Sequence, residues 1–270
     1  MKKLLTMLLV LVVLSAGCLG GGSNNATTEG GNTGTPVHTT STQVSTTSPK
    51  KESSINPLKA LEMIKQYTYE ENATAELDIE MKTGNITQET NVSLVVYERG
   101  YVDLEGKRAR IETRTTTLPD NVTLNTTWVI IGQKVYVEDF RNITIENDTS
   151  FWKINPVSLA RELLRLKPVG NYTENGTLVL TYSVPGELII PLAELYFTTP
   201  DMNTTVTDAT AELYFTKKGF IGMRLTYEIV ATTTTAGLGG EISVRERGLW
   251  RGKIEITSVN EKKEVKAPPT

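Results

Sequence analysis

Apolar and polar residues alternate along several long stretches of the chain, the period-two signature of strands with one buried face. Ala73, Ala75, Leu77, Ile79 and Met81 oppose Thr74, Glu76, Asp78, Glu80 and Lys82. Ile221, Met223, Leu225, Tyr227 and Ile229 oppose Arg224, Thr226 and Glu228, and Ala209, Ala211, Leu213 and Phe215 make a comparable row. NVSLVV sets Asn91 and Ser93 against Val92, Leu94 and Val96, while NVTLNTTW sets Asn121, Thr123 and Asn125 against Val122, Leu124 and Trp128. Two hairpins follow from turn signals: WVIIGQKVYVE, turning at Gly132-Gln133, and ELYFTKKGFIGMRLTYEI, turning at Lys217 to Gly219. Pairing across the first turn groups Trp128, Ile130, Val135 and Val137 on one face. Consecutive hairpins of this kind build an antiparallel sheet.

Helical periodicity is rarer. Asn56 and Pro57 open LKALEMIKQY as N-cap and first helical residue, with Leu58, Leu61 and Ile64 at helical spacing. Asn155 and Pro156 repeat the device before VSLARELLRL, whose Leu159, Ala160, Leu163, Leu164 and Leu166 form an apolar face, and Ile154 is placed to staple onto Leu159. A third, short helix is expected in PLAELYF from Pro191. The sheet's buried face is the one large apolar surface available to these helices. The expected order is a helix, five to six strands, a helix, one or two strands, a short helix and three or four strands.

Composition narrows the chemistry. The 270 residues are 39% hydrophobic and 22% charged with a net charge of -3, so no basic excess points to nucleic acid. With one histidine, His38, and one cysteine, Cys18, clustered zinc ligands, Ser-His or Cys-His hydrolysis and an internal disulfide framework are set aside. No cofactor or metal is expected. An enzyme would have to rely on carboxylates such as Asp103 and Glu105, which share a strand face in YVDLEG, or Glu138 and Asp139. That spacing is what any solvated strand gives, so no catalytic residue is assigned. Arg108, Arg110 and Arg114 read as a wet strand face interrupted by Glu112, and Thr115 to Thr117 and the threonines from Thr232 as exposed strand ends or loops. Gly237-Leu238-Gly239-Gly240 follows a threonine run and reads as a flexible connection.

The two ends of the polar-apolar pattern concern location. Lys2 and Lys3, an apolar run from Leu4 to Leu14 and the small residues Ser15, Ala16 and Gly17 lead into Cys18, the order of an export signal. The stretch resembles a lipoprotein signal, which implies cleavage after residue 17 and lipid on Cys18, although Ser15 stands where the large aliphatic residue is usual. Residues 18–54 are rich in Gly, Ser, Thr and Asn and too apolar-poor to fold, so they read as a tether with a span of roughly 30 Å that also contains His38. Residues 55–270 form the folded domain. Eleven of the 16 asparagines stand in Asn-X-Ser/Thr triplets, where a Ser plus Thr content of 54 in 270 would put about three. One is Asn25; the domain carries Asn72, Asn85, Asn91, Asn121, Asn125, Asn142, Asn147, Asn171, Asn175 and Asn203 as glycosylation candidates. On the strands they fall on the polar parity and point outward.

The order of these motifs resembles the LolA-like lipoprotein carriers, which include the mycobacterial lipid-carrying lipoproteins similar to LppX and LprG. The likeness rests on the tethered N-terminus, the hairpin WVIIGQKVYVED followed by the isolated tryptophan of FWKI, the helix VSLARELL, and an ELYFTKKGF hairpin leading through LWRGKIEITSVN to a terminal VKAPP. It implies an α+β, mainly β fold, a strongly curved antiparallel half-barrel with two to three helices over its concave apolar face. It also implies a cavity for acyl chains, lined by Leu77, Ile79, Met81, Leu94, Val96, Trp128, Ile130, Val137, Leu213, Phe215, Met223 and Leu225. The expectation is therefore a monomeric, membrane-anchored lipoprotein of an archaeal-type cell surface, facing outward and binding a lipid or other hydrophobic ligand. The alternative is a non-catalytic surface module that senses the envelope or binds another surface protein.

Overall fold

The computed structural model describes residues 55–139, 142–197, 202–237 and 240–269. The signal segment, Cys18, the tether and His38 lie outside the described residues. The chain runs through α1 (Pro57–Glu62), β1 (Gln66–Thr83), β2 (Ile86–Asp103), β3 (Arg108–Leu118), β4 (Val122–Ile131), β5 (Lys134–Asp139) and β6 (Asn142–Asn147). Two helices follow, α2 (Phe151–Ile154) and α3 (Pro156–Leu163), then β7 (Gly170–Glu174), β8 (Thr177–Ser183), α4 (Gly186–Tyr196), β9 (Asn203–Thr216), β10 (Gly219–Gly237) and β11 (Gly240–Val259).

All eleven strands join one antiparallel sheet in the order β6-β5-β4-β3-β2-β1-β11-β10-β9-β8-β7. Each strand pairs with its sequence neighbours, β11 closes onto β1, and the single break falls between β6 and β7. The molecule is thus an up-and-down sheet left open at one seam, in keeping with the curved half-barrel that the resemblance implies. Strands of 18 to 20 residues occupy the centre (β1, β2, β10 and β11), and strands of 5 to 7 residues form both margins. Because β6 and β7 stand at opposite edges, the segment joining them must cross the sheet, and α2 and α3 make that crossing with their apolar side inward: Phe151, Val157, Leu159, Ala160 and Leu163 are all buried.

The caps behave as the sequence predicts. Asn56 accepts from the Lys59 amide at 3.0 Å and starts α1, and Asn155 accepts from the Ser158 amide at 3.1 Å and starts α3. Asn155 does more than cap. Though only 1% exposed, it also takes the Tyr67 hydroxyl at 2.8 Å and donates to the Phe151 carbonyl at 3.1 Å and Ser158 Oγ at 3.0 Å. One satisfied amide therefore ties β1 to the α2–α3 joint. Arg161 of α3 reaches the Leu61 and Ile64 carbonyls at 2.8 and 2.9 Å, closing the end of α1.

Four expectations are corrected. First, α4 begins at Gly186 rather than at Pro191, which lies inside it. Second, the inward row of β10 is interrupted by a bulge: Phe220 pairs with Phe215 and Gly222 with Tyr214, so Ile221 is the extra residue, 39% exposed, and Phe220 takes the inward place. Third, Thr115 and Thr117 are buried, because they share the inward parity of Ile111. Fourth, Asp103 and Glu105 are not a strand pair. Asp103 ends β2 and accepts the Gly106 amide at 2.9 Å, while Glu105 lies in the following turn and pairs with Lys65 at 2.9 Å. Gly237 and Gly240 are cross-strand partners, and Leu238 and Gly239 between them lie outside the described residues.

The convex face carries a small second cluster that the alternation did not foretell. Tyr101 and Val129 are covered by Val265 of the C-terminal segment, which is held by the Lys263 amide on the Tyr101 hydroxyl (3.0 Å) and by Arg108 on the Val265 carbonyl (3.1 Å). Arg110 pairs with Glu112 at 3.1 Å on the wet face of β3.

Candidate functional site

The inward rows of the central strands meet beneath the helices, and there they are not wholly apolar. Extending the row Ala73, Ala75, Leu77 back by one place reaches Glu71; extending Val92, Leu94, Val96 forward reaches Glu98. Glu71 and Glu98 are direct cross-strand partners on the buried face, 8% and 7% exposed. Two carboxylates so placed repel each other and have lost most of their water.

The environment differentiates them. Glu98 Oε1 accepts the Tyr69 hydroxyl at 2.5 Å, and Oε2 accepts Thr113 at 2.9 Å and Tyr196 at 3.2 Å. Burial raises its pKa above the usual carboxylate range while those three donors pull it back. Glu71 is pushed well above that range by burial and then by the Glu98 charge, with no donor or cation offsetting either. The three hydroxyl donors thus set Glu98 apart from Glu71, whose carboxyl is held the more strongly toward its neutral form.

Aromatic rings surround the pair, and glycines make room for them. Tyr69 lies over Gly100, its cross-strand partner, where a Cβ would collide with the ring. At the end of α4, Tyr196 lies tilted against Trp250 of β11 at a centroid separation of 4.4 Å and Phe197 meets it edge-on at 5.9 Å, while Tyr227 of β10 stacks on the same indole at 6.1 Å. Gly248 leaves the space that Phe197 fills, a Cβ there falling 2.5 Å from its ring. A Cβ on Gly252 would stand 2.7 Å from Glu71 Oε1 and 2.8 Å from Trp250 Nε1, so both atoms converge on that notch. Trp250 Nε1 and the Tyr227 hydroxyl have no hydrogen-bond partner among the described residues.

Between this floor and the helices lies a cavity of about 40 Å³, lined by Tyr69, Glu71, Glu98, Ile111, Trp128, Phe151, Ile154, Asn155, Pro156, Leu159, Leu192, Leu195, Tyr196, Leu225 and Ile254. Its size admits a few waters and no acyl chain. Of the twelve residues expected to line a cavity, Trp128 and Leu225 do so. Leu77, Ile79, Leu94, Val96, Ile130, Val137, Leu213, Phe215 and Met223 are buried in the core around it, and Met81 is half-buried near the end of β1. Larger clefts lie elsewhere among the described residues: one of about 390 Å³ between α1 and the β9–β10 turn, one of about 490 Å³ against the outward side chains Arg224, Lys253 and Glu255, and one of about 250 Å³ lined by Ile79 with Asp78, Glu80, Glu89, Asn91, Arg245 and Arg247.

The cover over the cavity is shared by the α2–α3 segment, which contributes Phe151, Ile154, Asn155, Pro156 and Leu159, and by α4, which contributes Leu192, Leu195 and Tyr196. The α4 sequence GELIIPLAELY is apolar on nearly every side, yet Leu188, Ile190, Leu192 and Leu195 are only half-buried. Pro191 removes one internal hydrogen bond from this helix. A third buried glutamate, Glu246, belongs to the same inward row of β11 as Gly248 and Trp250, and is fully buried with both oxygens unpartnered among the described residues. Burial alone lifts its pKa to about 8.

Glu71, Glu98 and Glu246 were absent from the sequence-derived candidates, although each was readable as a charge on an apolar parity. Of the asparagines in glycosylation triplets, Asn72, Asn85, Asn91, Asn121, Asn125, Asn147, Asn171, Asn175 and Asn203 are exposed, and Asn142 stands at the start of β6. Among the described residues no group of three or more His, Cys, Asp or Glu side chains is placed to hold a metal, and no helix is long and apolar enough to cross a membrane.

No family model matches the chain, and no curated protein matches it. Among solved structures it is similar to the crystal structure of LprF from Mycobacterium bovis, with a TM-score of 0.37 and 8% sequence identity over 79% of this chain and 97% of that one. This is a distant likeness of fold.

Proposed function

We propose that the domain holds a hydrophobic ligand between the concave face of the sheet and α4, on a lipid-anchored protein displayed at the outer side of the cell membrane. The observation that carries the reading is the combination of a mostly apolar cavity with a cover helix whose own apolar surface is incompletely buried. A helix apolar all round is normally enclosed; one that is half-exposed and interrupted by Pro191 is a cover that exchanges protein contacts for ligand contacts. At about 40 Å³ the closed cavity is a seed for a larger one, opened by displacing Leu192 and Leu195 from Leu159 and Trp128. Anchoring through Cys18 and glycosylation of the domain belong to the same proposal and rest on the export signal and the density of Asn-X-Ser/Thr triplets. The absence of a histidine or cysteine from residues 55–270 favours binding over catalysis.

The test is native mass spectrometry of the full chain purified from membranes, with organic extraction of whatever co-purifies. A bound mass in the range of a lipid or other hydrophobic metabolite is the expected result, released when Leu192 and Leu195 are changed to Asp. Protein that carries no ligand, and that takes up no alkyl probe on titration, overturns the reading.

A further inference from the structure

Resting on the reading of a hydrophobic ligand under α4, we infer that the Glu71–Glu98 pair is a recognition site for a cationic amine head, so that the ligand class is an amphiphile bearing an ammonium group. Both carboxylates line the cavity, and no Lys, Arg or His does. The hydroxyls of Tyr69, Thr113 and Tyr196 all donate to Glu98 and fix it as an acceptor. Two carboxylates side by side with no cation among the lining residues make a site whose complement is one positive charge of compact size.

Two further buried polar groups lie beside the pair. Tyr227, 0% exposed, has an unpartnered hydroxyl close enough to feel the Glu71 charge, and its oxygen is free to accept an N–H. Trp250 Nε1, on a residue 1% exposed, is likewise unpartnered and faces the same notch over Gly252 as Glu71 Oε1. An ammonium entering the cavity meets carboxylate oxygens from two adjacent strands and the ring walls of Tyr69 and Tyr196, a setting that stabilises a cation through both charge and π faces. A divalent metal lacks a third protein ligand here, and an anionic head meets like charge without water to screen it. Tyr196 gives the site its coupling to the cover: the same side chain ends α4, stacks on Trp250 and bonds Glu98.

The experiment titrates the delipidated full chain at pH 7 with decylamine, decanol and decanoate, followed by tryptophan fluorescence and native mass spectrometry. Decylamine is expected to bind at least tenfold more tightly than decanol, with decanoate weakest. Glu98→Gln and Glu71→Gln are each expected to reduce the decylamine preference by tenfold or more while decanol affinity stays within about twofold. Should Glu98→Gln fail to fold, Glu71→Gln carries the test, since it leaves the three hydroxyl bonds to Glu98 in place. Decanol or decanoate binding as tightly as decylamine, or a preference unchanged in a folded variant, overturns the amine site while leaving hydrophobic binding intact. Binding of none of the three overturns both.

Discussion

Glu246 places a titratable group in the core with nothing to balance it, and the consequence for stability has a definite sign. Its folded pKa of about 8 lies above the ordinary value of 4.5, so the folded state holds a proton that the unfolded state has released between those limits. Stability from this group is therefore full below pH 4.5 and is lost as pH rises toward 8, by an amount on the order of 5 kcal/mol. Glu71 and Glu98 shift in the same direction. Thermal melts at pH 5 and pH 9 should show the domain markedly less stable at the alkaline end, and Glu246→Gln should shrink that difference by raising the pH 9 melting point with little change at pH 5. Equal melting points for the native protein at the two pH values would remove the basis for the claim. Asn155 makes the opposite case, a buried polar group with every bond made. Asn155→Ala should destabilise by about 2–4 kcal/mol in urea unfolding, combining cap loss with an orphaned Tyr67 hydroxyl, whereas Tyr67→Phe should cost about 1 kcal/mol. All three buried glutamates were legible in the sequence as breaks in an alternation. Which of them would share a cavity was not, because that depends on strand order: Glu71 and Glu98 meet through the β1–β2 register, while Glu246 pairs with Ile79 and Ala231 further along the sheet.

Helix α4 is where local rules and tertiary demands diverge. Proline favours the first turn of a helix, which makes Pro191 an attractive start, yet the helix begins beside the other proline of VPGELIIPLAELY, with Pro185 as its N-cap. Gly186 permits this, since a Cβ there would stand 2.9 Å from the Val206 carbonyl oxygen. The helix enters tight against β9, and only then does it extend far enough for Tyr196 and Phe197 to reach Trp250. Sequence periodicity identified the apolar character of the segment but could not register a contact with a strand some twenty residues later. Pro191→Ala restores an internal hydrogen bond and should stabilise the closed cover by about 1–3 kcal/mol. If α4 gates the cavity, the same change should slow both uptake and release of an alkyl probe in stopped-flow fluorescence, leaving affinity altered less than either rate. Faster exchange in a more stable protein would argue against α4 as the gate. The bulge at Ile221 is a comparable case: a strict alternation over Ile221 to Ile229 places Ile221 inside, and only the pairing of Phe220 with Phe215 shows the extra residue turned out.

At the scale of the whole molecule, the open seam creates the one hazard the fold must manage. A closed barrel has no edges, but here β6 and β7 each present unpaired backbone groups along one side, a template for pairing with another chain. Both edges also expose apolar side chains, Ile145 at 51% and Tyr172 at 46%. Four of the ten glycosylation candidates in the domain lie at these margins: Asn142 and Asn147 bound β6, Asn171 is in β7, and Asn175 is in the turn leaving it. A glycan at such a position would block strand addition by bulk and hydration, while glycans at Asn72, Asn91 and Asn125 would stand on the convex face, where no strand can add. The two groups should therefore differ in effect when lost. In a host that glycosylates the chain, changing the four margin asparagines to Gln should produce dimers and larger species in size-exclusion chromatography with light scattering, at concentrations where the triple variant at Asn72, Asn91 and Asn125 remains monomeric. Equal behaviour of the two variants would mean that edge protection comes from the short, twisted margins themselves, and that the Asn-X-Ser/Thr density serves the surface as a whole.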